Sequence, residues 1–409
     1  MIGSGEEYNR FLKNPIWVEK MAYVMKSLAL GSLLLSGVVI AFRFNVDFAV
    51  LYRVAKEIGL STLQVYEPTV GEPGFFYGPV SLVLIRPLAL LSYAEGHLLW
   101  IALQSVIFVL FWWLLRRQFS FLGSASLWAW LVVWGASING IHNSFQSGNI
   151  QLMLAVILLA AEDLAKGSKR RQVWGGILLA CAAAVKVYPA FMIVFYFLLG
   201  SRRMIGGIFI GLLACVLFPT LFFGGLDSWN LHVAFFRNLF IYHQGNSFGA
   251  IPDILCLPSL IHRITDGWVN AAVVTPLTVG ILSAVSLAYY LTVYKNRLQL
   301  GLRKPLWSLG LALMILVNPS TRVHYFVLLV PAVASLVELW IEGHRSKIAT
   351  YVTAIALVLV CLTTEEIVGK TLNNFLEYRG FPTWGILMLC LVLAVTCIRS
   401  SRRLERSAI

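Results

Sequence analysis

A chain of 409 residues that is 59% hydrophobic and only 12% charged is excluded from the soluble class, where charged residues make up about a quarter of the total. The composition fits a single polytopic helical membrane protein. A net charge of +13 would point to nucleic acid in a soluble protein, but membrane topology accounts for it here and no nucleic-acid partner is expected. Of the six cysteines only Cys256 lies in a loop, so no disulfide framework is indicated.

In chain order, a polar leader of 22 residues precedes the first apolar run, and Arg10, Lys13, Lys20 and nearby Lys26 place it in the cytoplasm. The run lacks a small-residue cleavage site and reads as an uncleaved first span, 23–42. It delivers a polar external loop, 43–96, in which Asp47 opens an amphipathic stretch. Leu51, Val54, Ala55 and Ile58 share one helical face there, and Arg53, Lys56 and Glu57 another. The spacing predicts a surface helix with Asp47 near its start. The next apolar stretch, 79–93, falls short of the roughly twenty residues a span requires and reads as a second surface helix.

Spans follow at 97–115, 122–138 and 150–164, with an external loop at 139–149. The segment 173–199 decides the topology of the rest. Read as a tight hairpin turning near Lys186 and Pro189, it leaves only Arg237, Arg263, Arg322, Lys370 and Arg379 outside, out of seventeen Lys and Arg beyond residue 200. One long span would reverse that ratio, against the positive-inside rule. Hairpin arms of about 21 Å stop short of the outer surface, which leaves Lys186 in a polar pocket within the membrane. Further spans are predicted at 205–223, 271–294, 306–317, 325–340, 348–362 and 384–398. The expected fold is an all-α bundle of about twelve transmembrane helices in one domain, 1–409, with both termini cytoplasmic.

The second long external loop, 224–270, holds an amphipathic stretch with Trp229, Val233, Phe236 and Phe240 on one face. The outer side thus collects one early carboxylate, Asp47, and the basic groups Arg43, Arg53, Lys186, Arg322 and His324. The polar groups of Asn149, Gln151, Asn246 and Ser247 join them. Cations at a membrane surface suit a lipid phosphate. Amides and aromatics, among them Tyr66 and Tyr77, suit a sugar. A lone carboxylate suits a general base that takes a proton from an acceptor hydroxyl. Blander roles stand beside these: Asp47 fits a helix N-cap, Lys186 a snorkelling lysine, Tyr66 and Tyr77 interfacial aromatics, and Asn246-Ser247 a turn. No nucleotide-binding loop or metal-ligand cluster is evident, and neither a metal nor a cofactor is expected.

The order of features resembles the GT-C superfamily of polyprenyl-phosphate-sugar-dependent glycosyltransferases, and in detail glycosyltransferase family 87. Its known members include mannosyltransferases of phosphatidylinositol-mannoside synthesis. The matching residues are Asp47, Tyr52 and Tyr66, then Tyr77-Gly78-Pro79, Arg86-Pro87 and Ser147-Gly148-Asn149-Ile150-Gln151. Ala184-Val185-Lys186-Val187-Tyr188-Pro189, Gly245-Asn246-Ser247-Phe248 and Asn318-Pro319 with His324-Tyr325 and Pro331 complete the set. The resemblance implies an inverting transfer of a hexose, mannose first, from a polyprenyl-phosphate donor to a lipid-linked or glycan acceptor, with Asp47 as base. It implies an active site on the periplasmic side of the cytoplasmic membrane. The family writes Gly-Gln-x-Asn where this chain has Gly-Asn-Ile-Gln, and no Asp-Glu pair follows Asp47. Two other classes compete: a transporter or flippase of lipid-linked sugars would show repeated halves and a midplane site, and an O-antigen-ligase-like transferase a large Arg- and His-rich external loop.

Overall fold

The computed structural model describes residues 15–43, 46–58, 64–66, 75–123, 126–198, 202–244, 253–265, 302–344, 346–361 and 365–407, with short pieces between 268 and 284. Among these residues every regular element is helical and no strand occurs. Within hydrocarbon an α-helix satisfies all its backbone groups inside the segment, which is why apolar runs of this length adopt it. Helix α1 spans Pro15–Ala41, α2 Val46–Glu57, α3 Pro79–Ile85, α4 Tyr93–Gln118, α5 Leu127–Ser147, α6 Gln151–Ala165, α7 Lys169–Val185 and α8 Ala190–Leu198. There follow α9 Arg202–Leu217, α10 Thr220–Phe223, α11 Gly225–Gln244, α12 Leu257–Ile264, α13 Arg303–Val317, α14 Val330–Ile341, α15 Lys347–Cys361, α16 Glu365–Val368, α17 Lys370–Tyr378 and α18 Phe381–Ser407.

Among the described residues five helical stretches are long and apolar enough to cross a membrane: Glu19–Ala41, Tyr93–Gln118, Arg202–Phe223, Val323–His344 and Phe381–Ser400. Helices α5, α6, α7, α8, α13 and α15 stand where other spans are expected, but are shorter or more polar. The span at 271–294 lies largely outside the described residues.

The surface helix after the first span forms as its pattern requires. Leu51, Val54, Ala55 and Ile58 are all buried, while Lys56 and Glu57 face outward. Phe48 is fully buried among Tyr52, Tyr93, His97 and Trp100, with ring centroids 5.3–6.1 Å apart. The hydroxyl of Tyr52 donates to the carbonyl of Leu91 at 2.9 Å, and the Lys56 ammonium to that of Ala89 at 2.7 Å. Losing a buried phenyl ring of this kind costs about 3–5 kcal/mol, so α2 is clamped to α4 rather than floating at the interface.

One feature differs from the sequence reading. Helix α5 continues to Ser147, through most of the stretch 139–149 expected as a loop. Its polar side chains are satisfied within the bundle: Asn139 donates to the Val360 carbonyl of α15 at 3.0 Å, and Asn143 to the Asn139 amide oxygen at 2.9 Å. In α11 the apolar face of Trp229, Val233 and Phe236 points outward, and Leu231, Phe235 and Asn238 pack inward instead.

The chain does turn between α7 and α8. Near the turn, the Tyr188 hydroxyl donates to the Gln151 side-chain oxygen at the start of α6. Farther along α8, Tyr196 donates to Glu162 near the other end of α6 at 2.6 Å. The second arm therefore runs back along the same neighbour. At that far end the buried Glu162 carboxylate also meets Arg303 at 3.0 Å and Lys166 at 3.4 Å. Asp163 pairs with Arg117 and Arg171, and Lys304 with Glu338. The bundle thus has a basic, ion-paired end opposite the end that holds Asp47.

Candidate active site

Asp47 sits in the first turn of α2, half-buried, and its partner comes from the α5–α6 junction. Gly148 ends α5 with φ 68°, a left-handed conformation that a side chain would strain. Two side chains of α4 hold this turn: Trp100 donates its indole N–H to the Gly148 carbonyl at 2.9 Å, and Gln104 donates to the Asn149 carbonyl at 3.3 Å. Asn149 is then fixed by its own amide. Its Oδ1 accepts the backbone N–H of Gln151 at 3.1 Å, which leaves Nδ2 to donate to Asp47 Oδ2 at 2.5 Å. The helix start thereby sets the orientation of the amide, and the amide orients the carboxylate.

Lys186 lies where α7 ends, with extended backbone, and only 8% of it is exposed. Its ammonium stands 4.8 Å from the ring centre of Tyr77 and 5.2 Å from that of Tyr325, and donates to the Tyr325 hydroxyl at 3.3 Å. Cation–π contacts of this kind contribute about 0.5–2 kcal/mol. Among the described residues no carboxylate lies within 4.0 Å of it. A buried cation held by rings and a hydroxyl, with no such counter-ion, is arranged to accept an anion.

The Tyr77 wall of this cage depends on its neighbours. The Gly78 N–H donates to the Val185 carbonyl at 3.0 Å, and a Cβ on Gly78 would collide with the Ala184 carbonyl oxygen. Only glycine lets the Tyr77-Gly78-Pro79 segment approach the end of α7. Tyr66 is buried and donates its hydroxyl to the Tyr77 carbonyl at 2.9 Å, packing on Phe75 and Phe235. Burial foremost, and then the charge of Asp47 and the nearby Tyr325, push the Tyr77 phenol well above its ordinary value, so it stays a neutral donor. Tyr77 therefore carries the Lys186 ammonium over its ring and lies within electrostatic reach of Asp47.

The remaining residues singled out from the sequence fall around this core. Gln151 is buried, with its side-chain oxygen engaged by Tyr188. Buried His324 lies within electrostatic reach of Lys186 and Arg322. Arg322 is exposed and forms an ion pair with Asp253 at 3.4 Å. Arg43 is exposed at the end of α1, and Asn246 and Ser247 lie outside the described residues. The sequence reading assigned no site role to Tyr325, Tyr188, Trp100 or Gln104. Tyr188 and Tyr325 each sit one or two residues from a residue already singled out. Trp100 and Gln104 are four apart on one face of an apolar helix, the signal that marks polar side chains turned inward. Among the described residues no group of three His, Cys, Asp or Glu is placed to hold a metal ion.

A model of glycosyltransferase family 87 matches residues 75–319, more than half of the chain. No curated protein and no solved structure matches it. The matched stretch contains Tyr77, Asn149, Gln151 and Lys186. Asp47 precedes it but is bound to it through the Asn149 hydrogen bond, and His324 and Tyr325 follow it closely. On a match of that extent, the chain belongs to glycosyltransferase family 87 and is a glycosyltransferase.

Proposed function

We propose that this protein transfers a hexose, mannose first, from a polyprenyl-phosphate sugar to a lipid-linked or glycan acceptor, with inversion at the anomeric carbon. The observation that carries this reading is the buried Lys186 ammonium over the Tyr77 ring, with Asp47, held by Asn149, within electrostatic reach of the same tyrosine. Lys186 binds the donor phosphate, with His324, Arg322 and Arg43 adding positive potential around it. Asp47 accepts the proton of the acceptor hydroxyl as that oxygen bonds to the anomeric carbon. The bond from that carbon to the phosphate oxygen breaks, and polyprenyl phosphate leaves with the electron pair. A phosphate leaving group requires little protonation, so one carboxylate suffices and no second, nucleophilic carboxylate is required.

Asn149 holds Asp47 with one carboxylate oxygen occupied and the other available to the acceptor. Tyr77 and the amide of Gln151 serve the sugar and acceptor in this reading, a role it also gives to Asn246 and Ser247 outside the described residues, and Tyr66 fixes Tyr77 through its carbonyl. The basic, ion-paired end of the bundle is the cytoplasmic one by the positive-inside rule, which puts Asp47 on the periplasmic side of the cytoplasmic membrane. The polar groups gather at that end rather than at the midplane, which favours a transferase over a transporter. The direct test is purified protein with radiolabelled polyprenyl-phosphate mannose and a membrane lipid extract. Label moving into a new lipid or glycan product supports the reading, and no movement from any polyprenyl-phosphate hexose tried overturns it.

A further inference from the structure

At the opposite end from Asp47, a groove of about 820 Å³ runs between the first half of α1, the last turns of α4 and the start of α5. Three cations line it: Lys20 and Lys26 from α1 and Arg116 from α4. Among the described residues Glu19 is the one acid that lines it. Lys26 donates to the Leu122 carbonyl at 3.4 Å, which holds its ammonium at the groove wall. Arg116 lies across the surface of Gly123, close enough to Lys26 for the two like charges to repel. The rest of the wall is apolar and aromatic, with Trp112, Trp113 and Trp130 beside Tyr23 and Leu30. Tyr23, Val24 and Trp113 are each more than half exposed, as residues that face lipid rather than protein would be.

We infer that this groove binds an anionic phospholipid of the cytoplasmic leaflet, its phosphate headgroup between Lys20, Lys26 and Arg116 and an acyl chain along the tryptophans and Leu30. Three chemical features converge on that occupant. Lys26, held at the Leu122 carbonyl, and Arg116, beside Gly123, present two cations on one stretch of groove wall that a single phosphate can bridge. Tryptophan and tyrosine at the level of the headgroups give the ring-lined, half-wet boundary that a lipid's glycerol region fits. The groove also lies at the basic end of the bundle, where juxtamembrane cations attract anionic lipid.

The test uses the full chain purified in neutral detergent, with phosphatidylglycerol, phosphatidylcholine or inorganic phosphate added in turn. Thermal unfolding and lipid adducts in native mass spectrometry are the readouts. Phosphatidylglycerol should raise the unfolding temperature by several degrees and remain as an adduct, and the other two should do neither. The double substitution Lys26→Gln and Arg116→Gln should abolish that preference. Should the double variant fold poorly, Ser27→Glu decides the matter, because Ser27 is exposed on the groove lining and a carboxylate there should repel the headgroup without disturbing the core. Equal responses to phosphatidylcholine, a response to inorganic phosphate alone, or an undiminished phosphatidylglycerol preference in a folded variant would each overturn the inference.

Discussion

Replacing Asn149 by Asp probes the contact that orients the proposed base, Asp47. The new carboxylate can still accept the Gln151 N–H, so the turn that carries it should persist. Its second oxygen, however, falls where Asn149 now donates to Asp47 at 2.5 Å. Two full charges at about 3 Å repel by roughly 5–6 kcal/mol at an effective dielectric near 20, equivalent to about four pK units. Asp47 is only half-buried, and water screens part of this, so a rise of about 1–3 units in the apparent value of the pair is the working figure. The pair would then share a proton at pH values where a lone carboxylate is ionised, and over that range Asp47 could not act as the proposed base. The assay is the pH dependence of label transfer from polyprenyl-phosphate mannose. The acid limb of the Asn149→Asp profile should move up by about 1–3 pH units, with turnover lost about tenfold per unit below it and close to its plateau near pH 8. Asn149→Ala, which loses one charge-assisted bond of about 1.5–3 kcal/mol, should slow turnover with a smaller displacement of the profile. An Asn149→Asp profile that coincides with that of the parent would refute the coupling.

Three further outcomes follow from the geometry. Lys186→Met fills much of the same cage but removes the cation, so donor affinity should fall about ten- to a hundred-fold while thermal stability stays close to that of the parent; unchanged affinity in a donor-binding assay removes Lys186 from the phosphate site. Gly78→Ala drives a methyl group into the Ala184 carbonyl, so it should lower both the unfolding temperature and turnover, by about 1–3 kcal/mol of stability for the overpacking. On the outer helix α17, burial pushes the Glu377 carboxyl up to about 7. A raised carboxyl value means the fold prefers the neutral acid, so its contribution is whole below about pH 4 and is lost as pH rises towards 7. Glu377→Gln should therefore raise the unfolding temperature near pH 8, where the penalty reaches about 3 kcal/mol, and not near pH 4.

The parts of this molecule that were legible in sequence are those in which one segment carries its own evidence. Helix α2 shows its buried face as Leu51, Val54, Ala55 and Ile58, and the α7–α8 turn announces itself by Lys186 and Pro189 within an apolar run. The run 139–147 misleads because its asparagines and serines look solvated. Asn139 is satisfied by Val360, a carbonyl far along the chain that no local pattern reveals. The site has the same character. Asp47, Asn149 and Lys186 are each visible alone. The hydrogen bond between the first two, and the Tyr77–Lys186–Tyr325 cage, exist only once α2, the α5–α6 junction, the Gly78 segment and the stretch after α13 are packed together. Arg322 illustrates the converse: it reads as one basic group among several, and its pairing with Asp253 appears only in the fold.

The central claim is that Asp47 is the base, and Asp47→Asn tests it most directly. The amide keeps the volume and can still meet Asn149 through its oxygen, but it cannot take a proton. Turnover measured with saturating radiolabelled donor should fall by roughly two to four orders of magnitude, with donor binding and unfolding temperature close to those of the parent. Near-normal turnover in a folded Asp47→Asn protein would contradict the account.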